Sequence, residues 1–247
     1  RVAGTGPAAG EDPVALEHSL RLADLIRAEA MASGGALAFD RFMELALYAP
    51  GLGYYVAGAR KFGRGGDFVT APATSPLFGL CLARQCCEVL VALGGGDILE
   101  LGAGAGDLAA DLLDGLKAAA CLPGRYLILE PGPELRERQR DLLQDRHPDV
   151  MDRIQWLDDL PPGFSGVLVA NEVLDALPVH RFQVREEGAV AEILVKPRGV
   201  GWEEVGAEPR SQGLTEAVQA LWAQGLAQKP GYAGEINLRL GPWIQAL

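Results

Sequence analysis

Three glycines, at 102, 104 and 106, follow directly on the apolar run Asp97 to Leu101 and precede the helix-like stretch that opens at Asp107. Without Cβ atoms, backbone at those positions can close tightly around a ligand. A dinucleotide fingerprint would place its third glycine at position 107. Asp107 stands there instead, so the spacing is GxGxG and a pyrophosphate is poorly matched.

The acids around this loop suggest a different ligand. Glu100 lies just before the first glycine, where a carboxylate can face the methionyl ammonium of S-adenosyl-L-methionine, which carries no phosphate. Glu130 ends the next apolar run, LILEP, where it can accept both ribose hydroxyls. Asp158 or Asp159, in WLDDLPP, follows a third short run and can reach the adenine amino group, Asp158 being favoured; two solvated turn acids explain the pair equally well. The expected cofactor is S-adenosyl-L-methionine, with S-adenosyl-L-homocysteine as its product.

A fourth apolar run, GVLVA (166–170), leads into Asn171, Glu172 and Asp175 of ANEVLDALP. Methyl transfer is an in-line displacement, so the protein mainly aligns the nucleophile and takes up its proton. Glu172 and Asp175 suit a cationic guanidinium, with Asn171 beside them. The competing reading is local: Asn171 caps a helix EVLDAL and Glu172 complements its dipole, worth about 0.3 to 1 kcal/mol.

Alternation of strand and helix patterns from Asp97 to Ala170 positions these groups and predicts a parallel sheet with crossover helices. The strands are expected at Asp97 to Leu101, Tyr126 to Glu130, Ile154 to Leu157 and Gly166 to Ala170, with helices from Asp107 to Ala119 and Pro133 to Gln144. Before them come helices at Val14 to Ala32, from an N-cap at Asp40, and at Pro76 to Leu93. After Pro178 the period changes to two, giving strands at Arg181 to Arg185, Ala189 to Lys196 and Gly201 to Val205, then a helix near Leu214 to Gln228.

Composition narrows the remaining classes. With 22 Lys and Arg against 33 Asp and Glu, the charge of −11 has the wrong sign for nucleic acid. No apolar run approaches the roughly 18 residues that span a bilayer, and no membrane association is expected. The cysteines Cys81, Cys86, Cys87 and Cys121 and the histidines His18, His147 and His180 form no metal-ligand spacing, so no metal is expected.

Several ordered blocks resemble the MidA family of S-adenosyl-L-methionine-dependent methyltransferases, which includes the mitochondrial complex I assembly factor. They are FMELALYAPGLGYY (42–55), GDFVTAPATSPLFG (66–79), LELGAGAGDLA (99–109), VANEVLDALPVHRF (169–182) and EINLRLGPWI (235–244). The resemblance implies an α/β class I methyltransferase fold, a Rossmann-like three-layer α/β/α sandwich with an N-terminal helical extension. It implies a leader and lid region over 1–93 and a cofactor-binding domain over 94–247, with an inserted hairpin region at about 180–205. Gly66, Asp67 and Thr70 would belong to a lid at the cofactor, with Tyr54 and Tyr55 close by. Ala73 stands where the family usually has an acid. Further strands are expected beyond Trp243, outside this sequence.

For eukaryotic members the family implies protein arginine methylation in complex I assembly, and so a protein substrate. Alternatives on the same site are a small-molecule methyltransferase, or an assembly protein that keeps the cofactor without turnover. The oligomeric state is open. The expected location is the bacterial cytoplasm, or the mitochondrial matrix for a eukaryotic chain.

Overall fold

The computed structural model describes residues 13–56, 71–186, 188–226 and 229–246. In chain order the elements are α1 (Pro13–Ala32), β1 (Leu37–Ala38), α2 (Phe39–Tyr48), α3 (Ala71–Thr74), α4 (Leu77–Leu93), β2 (Asp97–Leu101), α5 (Asp107–Ala118), β3 (Tyr126–Leu129), α6 (Pro133–Arg146), β4 (Ile154–Leu157), β5 (Gly166–Ala170), β6 (His180–Val184), β7 (Val190–Arg198), β8 (Gly201–Ala207), α7 (Leu214–Ala223), β9 (Ala233–Ile236) and α8 (Leu240–Ala246). The described residues divide into two compact units, one within 71–176 and one that joins those of 13–56 to those of 177–246.

The first of these units is an α/β layer structure, as the strand and helix alternation predicts. Its four strands run parallel in the order β4-β3-β2-β5. Ile98, Tyr126, Ile128, Ile154 and Val169 share one face of the sheet and form a single core with Ala83, Cys86 and Leu90 of α4, Leu112, Leu113 and Leu116 of α5, and Leu143 of α6. On the opposite face Leu99, Leu101 and Leu127 are also buried, which accounts for strands that are apolar without alternation.

Helices α4 and α5 approach closely because their contact is built from small residues. A Cβ added at Gly115 would lie 2.5 Å from the Cβ of Ala83, and one at Gly79 would lie 2.4 Å from that of Asp111. Pro133 starts α6 at a position where a missing N–H costs nothing.

The strand order decides where a ligand goes. From β2 the chain moves outward on one side through β3 and β4, then returns to place β5 on the other side of β2. The carboxyl end of β2 is therefore the topological switch point, where open α/β sheets leave a crevice. The glycine loop leaves β2 at that point.

In the other unit, β6 pairs antiparallel with β7 and β9, while β7 also pairs with β8 and β1. The period-two strands after Pro178 thus belong to a sheet with residues 37–38 and 233–236, rather than forming an insert in a domain over 94–247. Likewise α4, assigned from the sequence to the N-terminal region, packs on α5. Antiparallel edges find partners wherever hydrogen-bonding strands are free, and here those partners are far away in sequence. Strands β1 and β9, too short to register as periodic segments, were not foreseen.

In α2 the helix starts at Phe39, with Ala38 in the capping position. Asp40 is not its N-cap. It is buried in the first turn, 3.3 Å from Nε2 of His180 and 3.4 Å from Nη2 of Arg239. Among the described residues no helix is long and apolar enough to cross a membrane.

Candidate functional site

At the end of β2 all three loop glycines take left-handed backbone conformations, with φ of 62° at Gly102, 56° at Gly104 and 96° at Gly106. A side chain costs conformational strain there. Gly106 then serves as the N-cap of α5. A Cβ placed on Gly104 would meet no heavy atom within 4 Å, so the loop faces open space at this point.

Asp107 occupies the first position of α5, the end that would otherwise attract a phosphate. Burial and the neighbouring Asp111 raise its carboxyl above the ordinary range. A carboxylate on the helix terminus opposes an anionic ligand and is compatible with a sulfonium, whose charge is positive.

Glu130, immediately after β3, is buried and directed at the loop region. Its Oε1 accepts the backbone N–H of Gly132 at 3.0 Å, and its Oε2 accepts Nε2 of Gln139 at 3.4 Å. Burial raises its pKa, while those bonds and the charge of Arg136 pull the other way. Each carboxylate oxygen keeps accepting capacity, as a pair of ribose hydroxyls requires.

Asp158 lies at the outer end of the same edge. Its side chain is 86% exposed and pairs with Nη1 of Arg136 at 2.7 Å. The same guanidinium donates to the carbonyls of Glu130 and Leu157, so one arginine ties the ends of β3 and β4 together.

Glu100 differs from expectation. Residues 98 and 100 share a strand face, so its carboxylate turns beneath the loop into the core with Ile98 and accepts the phenol of Tyr126 at 2.7 Å. It does not lie open to a methionyl ammonium. Burial pushes its pKa up to about 7, against the lowering effect of the Tyr126 bond.

The sign of the resulting pH dependence follows from linkage. Below about 4.5 Glu100 is protonated in both states; between there and about 7 the unfolded chain ionises it while the folded chain holds the proton. Stability should therefore fall as pH rises through that window. Glu100→Gln is expected to flatten that segment of a denaturant-midpoint against pH curve, and an unchanged slope would assign it to other groups.

On the other side of β2, Asn171 to Asp175 follow β5. The expected helix EVLDAL is only a 3-10 turn at Leu174–Ala176, so Asn171 does not cap a helix. Pro178 removes an N–H within one turn and prevents a longer helix. Glu172 is exposed and adopts φ 53°, unusual for a residue with a side chain. A Cβ on Gly102 would lie 3.3 Å from Cγ2 of Val173, which brings this acidic loop against the first glycine.

Asp67, Thr70 and Gly66 lie outside the described residues. Tyr55 stacks on Tyr48 with centroids 5.5 Å apart, and Tyr54 meets its edge at 5.2 Å. Sequence reasoning missed Gln139 and Arg136, polar residues on a helix with no motif around them. A buried glutamine in an otherwise highly charged helix carried no signal that could be read without the fold.

The left-handed glycines, the open space at Gly104 and the Glu130 carboxylate fit S-adenosyl-L-methionine. Residues 81–247 match the model of a family described as "Putative S-adenosyl-L-methionine-dependent methyltransferase". The chain is 34% identical over 186 residues to the zebrafish (Danio rerio) mitochondrial protein arginine methyltransferase NDUFAF7, covering 65% of this chain and 43% of that protein. It is 31% identical over 183 residues to the human (Homo sapiens) counterpart, covering 63% and 41%.

A crystal structure from Burkholderia thailandensis bound to S-adenosyl-homocysteine superposes with a TM-score of 0.87 at 38% identity, covering 98% of this chain and 62% of that one. The chain thus spans about two fifths of the length of these curated relatives and about three fifths of the solved one. It belongs to the MidA family of S-adenosyl-L-methionine-dependent methyltransferases, and its cofactor is S-adenosyl-L-methionine.

Proposed function

We propose that this chain is the cofactor-binding part of a methyltransferase that modifies an arginine side chain of a protein partner. The observation that carries the reading is the meeting of the glycine loop and the acidic loop at Gly102 and Val173, on the two sides of the switch point. When bound, the cofactor supplies an electrophilic methyl group on a sulfonium.

Gly102, Gly104 and Gly106 would admit the cofactor's methionyl end, Glu130 would accept its ribose hydroxyls, and Asp158, exposed after β4, is assigned to its base. Asp67 and Thr70 are assigned to the cofactor on the family resemblance. Glu172 and Asp175 hold the guanidinium, with Asn171 accepting or donating at their edge. The nitrogen that receives the methyl group would give its proton to a carboxylate, a role we assign to Glu172, exposed two residues past the end of β5.

An acidic chain suits an arginine-bearing partner. The relatives named as mitochondrial protein arginine methyltransferases support a protein substrate, and the family resemblance alone adds complex I assembly, which makes a complex I subunit the partner to try first. The enzyme would meet it in the bacterial cytoplasm or the mitochondrial matrix.

Incubating the chain with cell extract and S-adenosyl-L-methionine labelled in its methyl group should mark a protein band. Acid hydrolysis of that band should release labelled methylarginine. Label confined to small molecules would defeat the protein substrate, and binding without any transfer would leave a non-catalytic assembly role.

A further inference from the structure

Gln139 projects from α6 and is 0% exposed, although nothing in helix packing requires an amide. Its three partners have hydrogen-bonding roles dictated by their chemistry. Nε1 of Trp156 can only donate, and it lies 2.8 Å from Oε1. The carbonyl of Gly104 can only accept, and it lies 2.8 Å from Nε2. Oε2 of Glu130 accepts from the same Nε2 at 3.4 Å.

The indole therefore sets which way the amide points. Reversing it would turn Nε2 against the Trp156 N–H and Oε1 against two acceptors, one of them the buried Glu130 carboxylate, and all three contacts would be lost. A Cβ on Gly106 would also lie 3.3 Å from both Cα and Cγ of Gln139, so the loop rests directly on this residue. One side chain thus links the loop after β2, the carboxylate after β3 and the indole of β4.

We propose that Gln139 is a positioning residue of the cofactor site, holding the Glu130 carboxylate at the spacing from the glycine loop at which it accepts the ribose hydroxyls. This rests on the assignment of Glu130 to the ribose, and extends it by making that contact depend on a residue that touches no part of the ligand. Trp156 acts one step further back, by orienting the amide.

Calorimetric titration with S-adenosyl-homocysteine and its 2′-deoxy analogue tests the idea, because a residue that only packs would change both affinities alike. The unaltered chain should favour the ribose form by about tenfold, the worth of a bond to a charged group, and Glu130→Ala should abolish that preference. Gln139→Leu should reduce it below about threefold although Glu130 is still present. Gln139→Glu, the same shape with an oxygen facing two acceptors, should lose it together with about tenfold in affinity for S-adenosyl-homocysteine.

A folded Gln139→Leu protein with the original ratio of affinities overturns the proposal. Should both variants at position 139 fail to fold, Trp156→Phe takes their place: it removes the orienting N–H and should give an intermediate ratio, while an unchanged one overturns the proposal equally. A ratio near one in the unaltered chain, insensitive to Glu130→Ala, would instead overturn the ribose assignment, and the proposal with it.

Discussion

Gly104→Val should weaken S-adenosyl-homocysteine binding by more than about a hundredfold and leave the chain folded. Two effects add. Gly104 has φ 56°, where a β-branched residue pays about 1 to 2 kcal/mol of backbone strain. The new side chain meets no protein atom within 4 Å at its Cβ, so it is not crowded out by the fold itself and stands in the open space over the loop.

That space is where the methionyl end of the cofactor must pass if the glycines serve it. Gly104→Ala should then be intermediate, at about tenfold, since it carries most of the strain and little of the bulk. Thermal denaturation controls for folding, and titration calorimetry reads the affinity. Equal affinity in Gly104→Val would remove this loop from the cofactor site.

The second large effect is expected at Glu172, where binding and turnover should separate. Glu172→Gln keeps size and polarity but cannot take a proton, so the rate of methyl transfer should fall by about 10²- to 10⁴-fold. Affinity for S-adenosyl-homocysteine should change by less than about threefold, because Glu130 and the glycines are untouched. Full activity in Glu172→Gln would exclude this carboxylate as proton acceptor.

Glu172 also holds φ 53°, and a non-glycine residue pays for that conformation. Glu172→Gly relieves the strain and should raise the melting temperature while turnover still collapses. A gain in stability with a loss of activity is the signature of backbone held for function. A lower melting temperature would show that the Glu172 side chain stabilises the loop.

The parallel half of the fold was legible because its signals are local. Strands β2, β4 and β5 fall on the residues their apolar runs indicated, and helix α5 begins at Asp107 as its glycine-ended entry suggested. The candidate residues Gly102, Gly104, Gly106, Glu130 and Glu172 were picked out by the same local signal: each stands within a few residues of the carboxyl end of a parallel strand. The direction of Glu100 was readable in principle from its alternation with Ile98. Yet in a strand buried on both faces alternation does not say which side holds the ligand, and here the carboxylate went to Tyr126.

Cofactor class and the order of the first strands were therefore written in short segments of the chain, since a glycine spacing, a strand end and an acid act within a few residues of each other. Tertiary structure alone decided the rest. It joined β6 and β7 to β1 and β9, which are far apart in sequence, because antiparallel pairing depends on free edges rather than on chain order. It also brought Gln139 of α6 to the loop, because an amide acquires an orientation only when donors and acceptors from the glycine loop, the end of β3 and β4 converge on it in three dimensions.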